Sequence, residues 1–227
     1  MLKALTPIFF LMIMLNACKK KDETPVDTNT PPKLAITHMA PGSSEISLYT
    51  DGTKLGSTPI SYLASSEYLS SSAGKKELSI TIKDQNTVIP KTTFEFKQSA
   101  NYGLFVTDIP GKTNLLITED DLTNPATGKA KIRFINLSPD AGNLDFNVKG
   151  KQALFSNMGF KSVTKFEQMD AANEIVFEVR ETGKTELLFA SPVIKIETGK
   201  IYTILARGLR QSNIDPLKFG LTTVTNK

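Results

Sequence analysis

The chain has 227 residues, 40% of them hydrophobic and 8% aromatic, with a formal net charge of +4. That composition supports packed cores, and basic and acidic residues are interspersed with no basic run beyond Lys19–Lys21, so nucleic-acid binding has no electrostatic footprint. A single cysteine excludes an internal disulfide, and one histidine and no tryptophan narrow the chemistry further.

Lys3 gives the amino terminus a positive charge, and Ala4–Leu15 is almost wholly apolar. That run is about twelve residues, against roughly 20 for a membrane-spanning helix and about 7–15 for the apolar part of a signal peptide. Pro7 also argues against a permanent helix. Leu15-Asn16-Ala17-Cys18 then resembles the bacterial lipobox. The resemblance implies a signal peptide over 1–17, cleavage after Ala17, diacylglycerol on the Cys18 sulfur and acylation of the new amino terminus. Two or three acyl chains, at about 0.8 kcal/mol per buried CH₂, anchor a protein stably where one chain is marginal.

Lys19-Lys20-Lys21-Asp22-Glu23 resembles the surface-export signal of Bacteroidetes lipoproteins. It implies the outer face of the outer membrane, with a periplasm-facing anchor as the alternative. Residues 18–32 read as the lipidated cysteine and a flexible tether, rich in Lys, Asp, Thr and Pro. Fourteen residues reach at most about 46 Å at roughly 3.3 Å each.

From Lys33 onward short runs alternate apolar and polar residues between turn residues, which predicts strands. They fall at 34–37, 46–49, 78–82, 94–96 and 102–106, and again at 132–135, 144–148, 175–179, 193–196 and 201–205. No long segment has helical period. Tyr49-Thr50-Asp51-Gly52 and Val148-Lys149-Gly150 predict hairpin turns.

The pattern repeats. A strand followed by a small residue and proline occurs at Leu34…Ala40-Pro41 and at Ile132…Ser138-Pro139. Five residues after each proline an apolar strand opens, at Ile46 and Leu144, and eleven after it stands Gly52 or Gly150. Late in each copy a strand opens at Tyr102 or Tyr202. Two domains follow, 33–122 and 130–227, joined by a short linker. Short strands without helices predict an all-β fold: two tandem antiparallel β-sandwiches with Greek-key connections, a barrel being the alternative.

Lys131-Ile-Arg-Phe-Ile-Asn-Leu-Ser-Pro-Asp-Ala-Gly-Asn-Leu-Asp-Phe-Asn-Val-Lys-Gly150 is similar to the opening signature of the domain-of-unknown-function family 4397. Arg133, Ser138, Pro139, Asp140, Asp145 and Gly150 carry the resemblance. The first copy is degenerate, with Ala35, Ala40-Pro41-Gly42-Ser43 and Ser47 in the matching places. The family implies immunoglobulin-like or transthyretin-like sandwiches on bacterial envelope proteins, and no established activity.

Candidate chemistry is sparse. His38, the one histidine, ends a strand where the second copy has Asn136, so a polar turn residue explains both better than a catalytic triad. Zinc lacks ligands. Glu119, Asp120, Asp121, Asp140 and Asp145 are available for calcium without EF-hand spacing. Ser138-Pro139-Asp140 reads as a capped turn, Arg133 and Asp145 as a cross-strand pair, and Tyr102 and Tyr202 as tyrosine corners. No phosphate loop, dinucleotide fingerprint or other cofactor motif is present. The expected role is a membrane-anchored, non-enzymatic binding or scaffold module with a protein or glycan ligand. An envelope or polysaccharide hydrolase, or a purely structural envelope protein, is the alternative. A hydrolase would need Asp140, Asp145 and Glu119 to line one cleft.

Overall fold

The structure, a computed structural model, describes residues 30–83, 85–88 and 91–227. The expected signal peptide with Ala17, the expected lipidation site Cys18 and the expected tether up to residue 29 lie outside the described residues.

The described residues are all-β, without a helix. The first sandwich contains β1 (Lys33–His38), β2 (Ile46–Thr50), β3 (Thr53–Ile60), β4 (Leu69–Ser70) and β5 (Gly74–Ile82). It continues with β6 (Gln85–Val88), β7 (Thr92–Phe96), β8 (Asn101–Thr107) and β9 (Asn114–Glu119). The second contains β10 (Lys129–Asn136), β11 (Leu144–Val148), β12 (Ala153–Met158), β13 (Glu167–Asp170) and β14 (Ala172–Ile175). Its remaining strands are β15 (Phe177–Glu181), β16 (Leu187–Ala190), β17 (Ile194–Ile196), β18 (Ile201–Arg207) and β19 (Gly220–Thr225).

The repeat read from the prolines is a repeat of topology. One sheet runs β4-β1-β8-β9 and its counterpart runs β13-β10-β18-β19. The opposite sheets run β3-β2-β5-β6, with β7 also on β5, and β12-β11-β15-β16, with β14 and β17 paired beside it. Each sandwich thus contains one pairing that differs from the expected antiparallel ladders. β1 lies parallel to β8, and β10 parallel to β18. The first and next-to-last strands of each sandwich are therefore hydrogen-bonded side by side and run the same way.

Alternation places the cores. Leu34, Ile36, Leu48, Ile80, Leu104 and their neighbours fill the first, and Ile132, Phe134, Phe146, Phe177, Ile204 and theirs the second. Phe134 stacks on Phe146 at 4.6 Å between ring centres, within the range of favourable aromatic pairs. Both expected tyrosine corners form: Lys97 N–H donates to Tyr102 Oη and Glu197 N–H to Tyr202 Oη, each at 3.1 Å. The Asp51-Gly52 turn has positive φ at both positions, 48° and 76°, as a two-residue hairpin of matching twist requires. The segment expected as one strand over 175–179 is two, because the chain changes partner at Val176, from β17 to β11 and β16. β9 and β19, not predicted, close the edges of the paired sheets.

The turn reading of His38 and Asn136 holds in detail. His38 Nδ1 accepts from Ala40 N–H at 3.3 Å, which assigns the ring proton to Nε2, donated to Ser44 O at 3.0 Å. Asn136 Oδ1 accepts from Ser138 N–H, and Nδ2 donates to Gly142 O. Burial holds the His38 pKa below its ordinary value. The unfolded chain therefore takes up this proton more readily, and the native state loses stability as pH falls below about 6.5. His38→Asn should cost less than about 1 kcal/mol near neutrality, since Asn can make both bonds. Urea unfolding near pH 7.5 and near pH 5 checks this. Acidification should destabilise the native protein more than the variant, and an equal response of the two would refute the assignment.

Candidate functional site: the junction between the sandwiches

In strands β8 and β10 both faces are buried. Even-numbered residues enter the sandwich cores, while Phe105, Lys131, Arg133 and Ile135 face the other sandwich. The β4-β1-β8-β9 and β13-β10-β18-β19 sheets are stacked through a third apolar cluster of Met39, Phe105, Ile135, Leu137 and Leu205. The two bodies are joined by a core of their own.

A polar ring closes that junction. Arg133 Nη1 lies 2.7 Å from Asp120 Oδ1, and both side chains are essentially inaccessible to solvent. Asp120 Oδ2 accepts from Tyr68 Oη at 2.6 Å, and Tyr68 Oη accepts from Asn226 Nδ2 at 3.2 Å. Asn226 Oδ1 accepts from Thr203 Oγ1 at 2.6 Å, and Thr203 Oγ1 accepts from Arg133 Nε at 2.8 Å. Tyr68 and Asp120 belong to the first sandwich, and Arg133, Thr203 and Asn226 to the second. Thr118 reinforces the pair, accepting from Arg133 Nη1 at 3.2 Å and donating to Asp120 Oδ1 at 2.8 Å. The guanidinium lies over the Phe166 ring, 4.4 Å from its centre, and 5.7 Å from that of Phe105. Burial, and then the charge of Asp120, push the Tyr68 phenol pKa well up.

Beside the ring, Lys131 Nζ bonds Asp121 at 2.8 Å and Thr123 Oγ1 at 2.7 Å. The expected linker is thus pinned to the second sandwich where it begins. The Lys131 ammonium, then the Thr123 hydroxyl, lower the Asp121 carboxyl to about 2. Its contribution to stability is present above about pH 4 and is lost as pH falls through 2; Asp121 is half-exposed, so solvent screens much of it. A cleft of about 890 Å³ opens at this end, with Lys33, Tyr68, Asn101, Glu119, Asp121 and Lys227 in its wall.

The residues singled out in sequence separate here. Arg133 and Asp145 do not pair. Arg133 crosses to Asp120, while Asp145 Oδ1 accepts from Asn157 N–H and Thr182 Oγ1, both at 2.8 Å. β10 turns Arg133 away from its own core, toward the other sandwich. Asp140 accepts from Arg210 N–H at 2.8 Å and Gln211 N–H at 3.2 Å, and Ser138 Oγ donates to Gly208 O at 2.7 Å. Ser138-Pro139-Asp140 is therefore the cap of a distant loop. Gly150 turns the β11–β12 hairpin with φ 73°. Asp140 and Asp145 do not line the cleft that holds Glu119. Among the described residues no three metal-ligating side chains converge. Tyr68, Phe166, Thr203 and Asn226 were missed, although the repeat pairs them in register: Tyr68 with Phe166, and Asp120 with Asn226.

Two stacked β-sandwiches joined by a buried polar ring define an all-β tandem repeat. The chain belongs to the domain-of-unknown-function family DUF4397, whose model matches residues 32–147. No curated protein matches it. Among solved structures it is similar to a family 26 carbohydrate-binding module of Eubacterium rectale Amy13K, solved with maltoheptaose, at 11% identity and TM-score 0.28, covering 85% of this chain and 96% of that one. It is also similar to the fimbrial anchor protein Mfa2 of Porphyromonas gingivalis, at 8% identity and TM-score 0.23, covering 86% and 97%. At such TM-scores neither bears on ligand or activity.

Removing one partner of a buried ion pair strands a charge, at a cost of about 3–5 kcal/mol, whereas replacing both with apolar groups is far milder. Asp120→Ala should therefore destabilise the protein by that amount in urea unfolding. Arg133→Met with Asp120→Leu should recover most of it. Additive losses in the double variant would contradict the pairing. Gly103→Ala should also disturb Asp120, because a Cβ there would lie 3.1 Å from Asp120 Oδ2 and 2.9 Å from the Phe105 ring. About 1–3 kcal/mol is expected for such overpacking.

Proposed function

We propose that the protein is a lipid-anchored envelope module, displayed at the cell surface, whose two sandwiches (33–122 and 130–227) act as one non-enzymatic binding or scaffold unit. One observation carries this reading. Arg133, Asp120, Tyr68, Thr203 and Asn226, at the junction where a two-domain enzyme would place its chemistry, are bonded to one another. Asp120 meets an arginine, a tyrosine and a threonine, and Glu119 pairs with Lys97 at 2.8 Å. Asp140 and Asp145 accept hydrogen bonds elsewhere, from the 208–219 loop and from Asn157 and Thr182. A hydrolase would require two of these acids opposed across a cleft. The lipobox at Cys18 and the charged run after it support the location. The ligand classes that suit such a module are protein and glycan.

Cys18→Ala should move the protein from the membrane fraction to the soluble one. A variant that still sediments with membranes would refute lipid anchoring. Protease shaving of intact cells should remove the folded part; its survival, where a control surface protein is lost, would sink surface display.

A further inference from the structure

The two copies differ most usefully at one connection. In the first sandwich the chain passes from β8 to β9 through residues 108–113, and in the second it passes from β18 to β19 through the longer 208–219. The longer loop is tied down at every stage. Gly208 has φ 78°, and a Cβ there would strike Lys218 O. Leu209 N–H donates to Leu217 O at 2.7 Å, and Phe219 N–H to Leu209 O at 2.9 Å, which closes the loop on itself. Within it, Leu217 N–H and Lys218 N–H both donate to Ile214 O. Ser138 and Asp140 hold its first limb, and Arg207 Nη1 holds its second through Pro216 O and Lys218 O at 3.0 and 2.8 Å. In the first copy Ala40 and Gly42 stand where Ser138 and Asp140 do, and the loop they face is short.

Ile214 stands out of this scaffold, 66% exposed, the most exposed of the large hydrophobic residues described. Its neighbouring charges are mutually satisfied: Arg210 bonds Glu181 at 2.8 Å and Lys218 bonds Asp215 at 3.0 Å. The one aromatic ring of the loop, Phe219, is buried and offers no face on which a sugar could stack. The loop also projects from the end of β10 and β18 opposite the one where the chain enters at Lys33.

We infer that the 208–219 loop is a preorganised recognition element for a protein partner, with Ile214 as its anchor in an apolar pocket on that partner. A branched aliphatic tip fits a protein pocket. Arg210 and Lys218 are paired with acids and Arg207 Nη1 is bonded to carbonyls of the loop, which disfavours a nucleic acid or an anionic lipid surface, and the burial of Phe219 disfavours glycan. The fixed backbone removes most of the ordering cost that a free loop would bear on binding, and one buried anchor surrounded by neutral contacts is how interfaces concentrate affinity. The inference deepens the binding-module reading and rests on it, but not on the lipid anchor.

The test is site-specific photocrosslinking in intact producing cells with the full chain. A benzophenone amino acid at Asn213 should give a discrete protein adduct. Ile214→Asp, an exposed change that leaves the fold alone, should reduce its yield at least tenfold. Asp140→Ala, which frees the loop, should reduce it several-fold in a protein that still unfolds cooperatively. An unchanged yield in Ile214→Asp would overturn the inference, as would an adduct only with a second copy of this chain or with a glycan. The same probe at Val193, 62% exposed on another surface, separates the two readings. Protein adducts at Val193 but not at Asn213 would reject the loop and leave the binding module standing, while none at either position would reject both.

Discussion

The Arg133–Asp120 pair is the constraint on which the arrangement of the two sandwiches depends. A cation and an anion without solvent are tolerable only in contact with each other and with further dipoles. Each belongs to a different sandwich, so the bodies cannot slide past one another without leaving both charges buried and unpaired. The apolar cluster of Met39, Phe105, Ile135, Leu137 and Leu205 supplies the area, but area alone tolerates sliding. The ring of Tyr68, Asn226 and Thr203 does not, because each hydroxyl and amide bonds two partners at fixed positions.

Repetition made this junction possible, and divergence made it asymmetric. The facing sheets derive from the same topology, so matching positions meet around the contact. Where the second copy has Arg133 and Thr203, the first has Ala35 and Gly103. One copy carries the bulk and the charge, and the other leaves room for them. The space at Gly103 is occupied by Thr118 and Asp120, which supply the complementary acceptors. Two identical copies would oppose two arginines, or two empty surfaces.

Much of the fold was legible because alternation marks whichever face enters a sandwich core. Leu34/Ile36 and Ile132/Phe134 gave the strands, the Pro and Gly spacing gave the repeat, and Tyr102 and Tyr202 gave the corners. The same rule hid the junction. Lys131 and Arg133 occupy the alternate face of β10, where charge normally means water. Only the presence of a second sandwich turns that face into an interior, and periodicity within one strand contains no record of it. Arg133 was therefore assigned to Asp145, the nearest acid on an adjacent predicted strand, when its partner lies before the linker. The parallel β1–β8 and β10–β18 pairings were hidden for a related reason: sequence patterns report which residues face inward, and only weakly which strands are neighbours.

The rigid junction also gives the molecule a direction. β1, β8, β10 and β18 run the same way, and bonds across the junction occur at both ends, Lys131–Asp121 near the strand starts and Lys161–Asp108 near the strand ends. Thr30 O and Pro32 O accept from Ser99 and Ser71 N–H, fixing the entering chain at the starting end. The 8 residues of β10 advance about 26 Å at roughly 3.3 Å each. The Ser138-Pro139-Asp140 cap and the loop it holds therefore stand a full strand length from the end where the chain enters at Lys33. A hinge between the sandwiches would blur that separation. The buried ion pair preserves it, so the residues that join the sandwiches also determine which surfaces face away from the end where the chain enters.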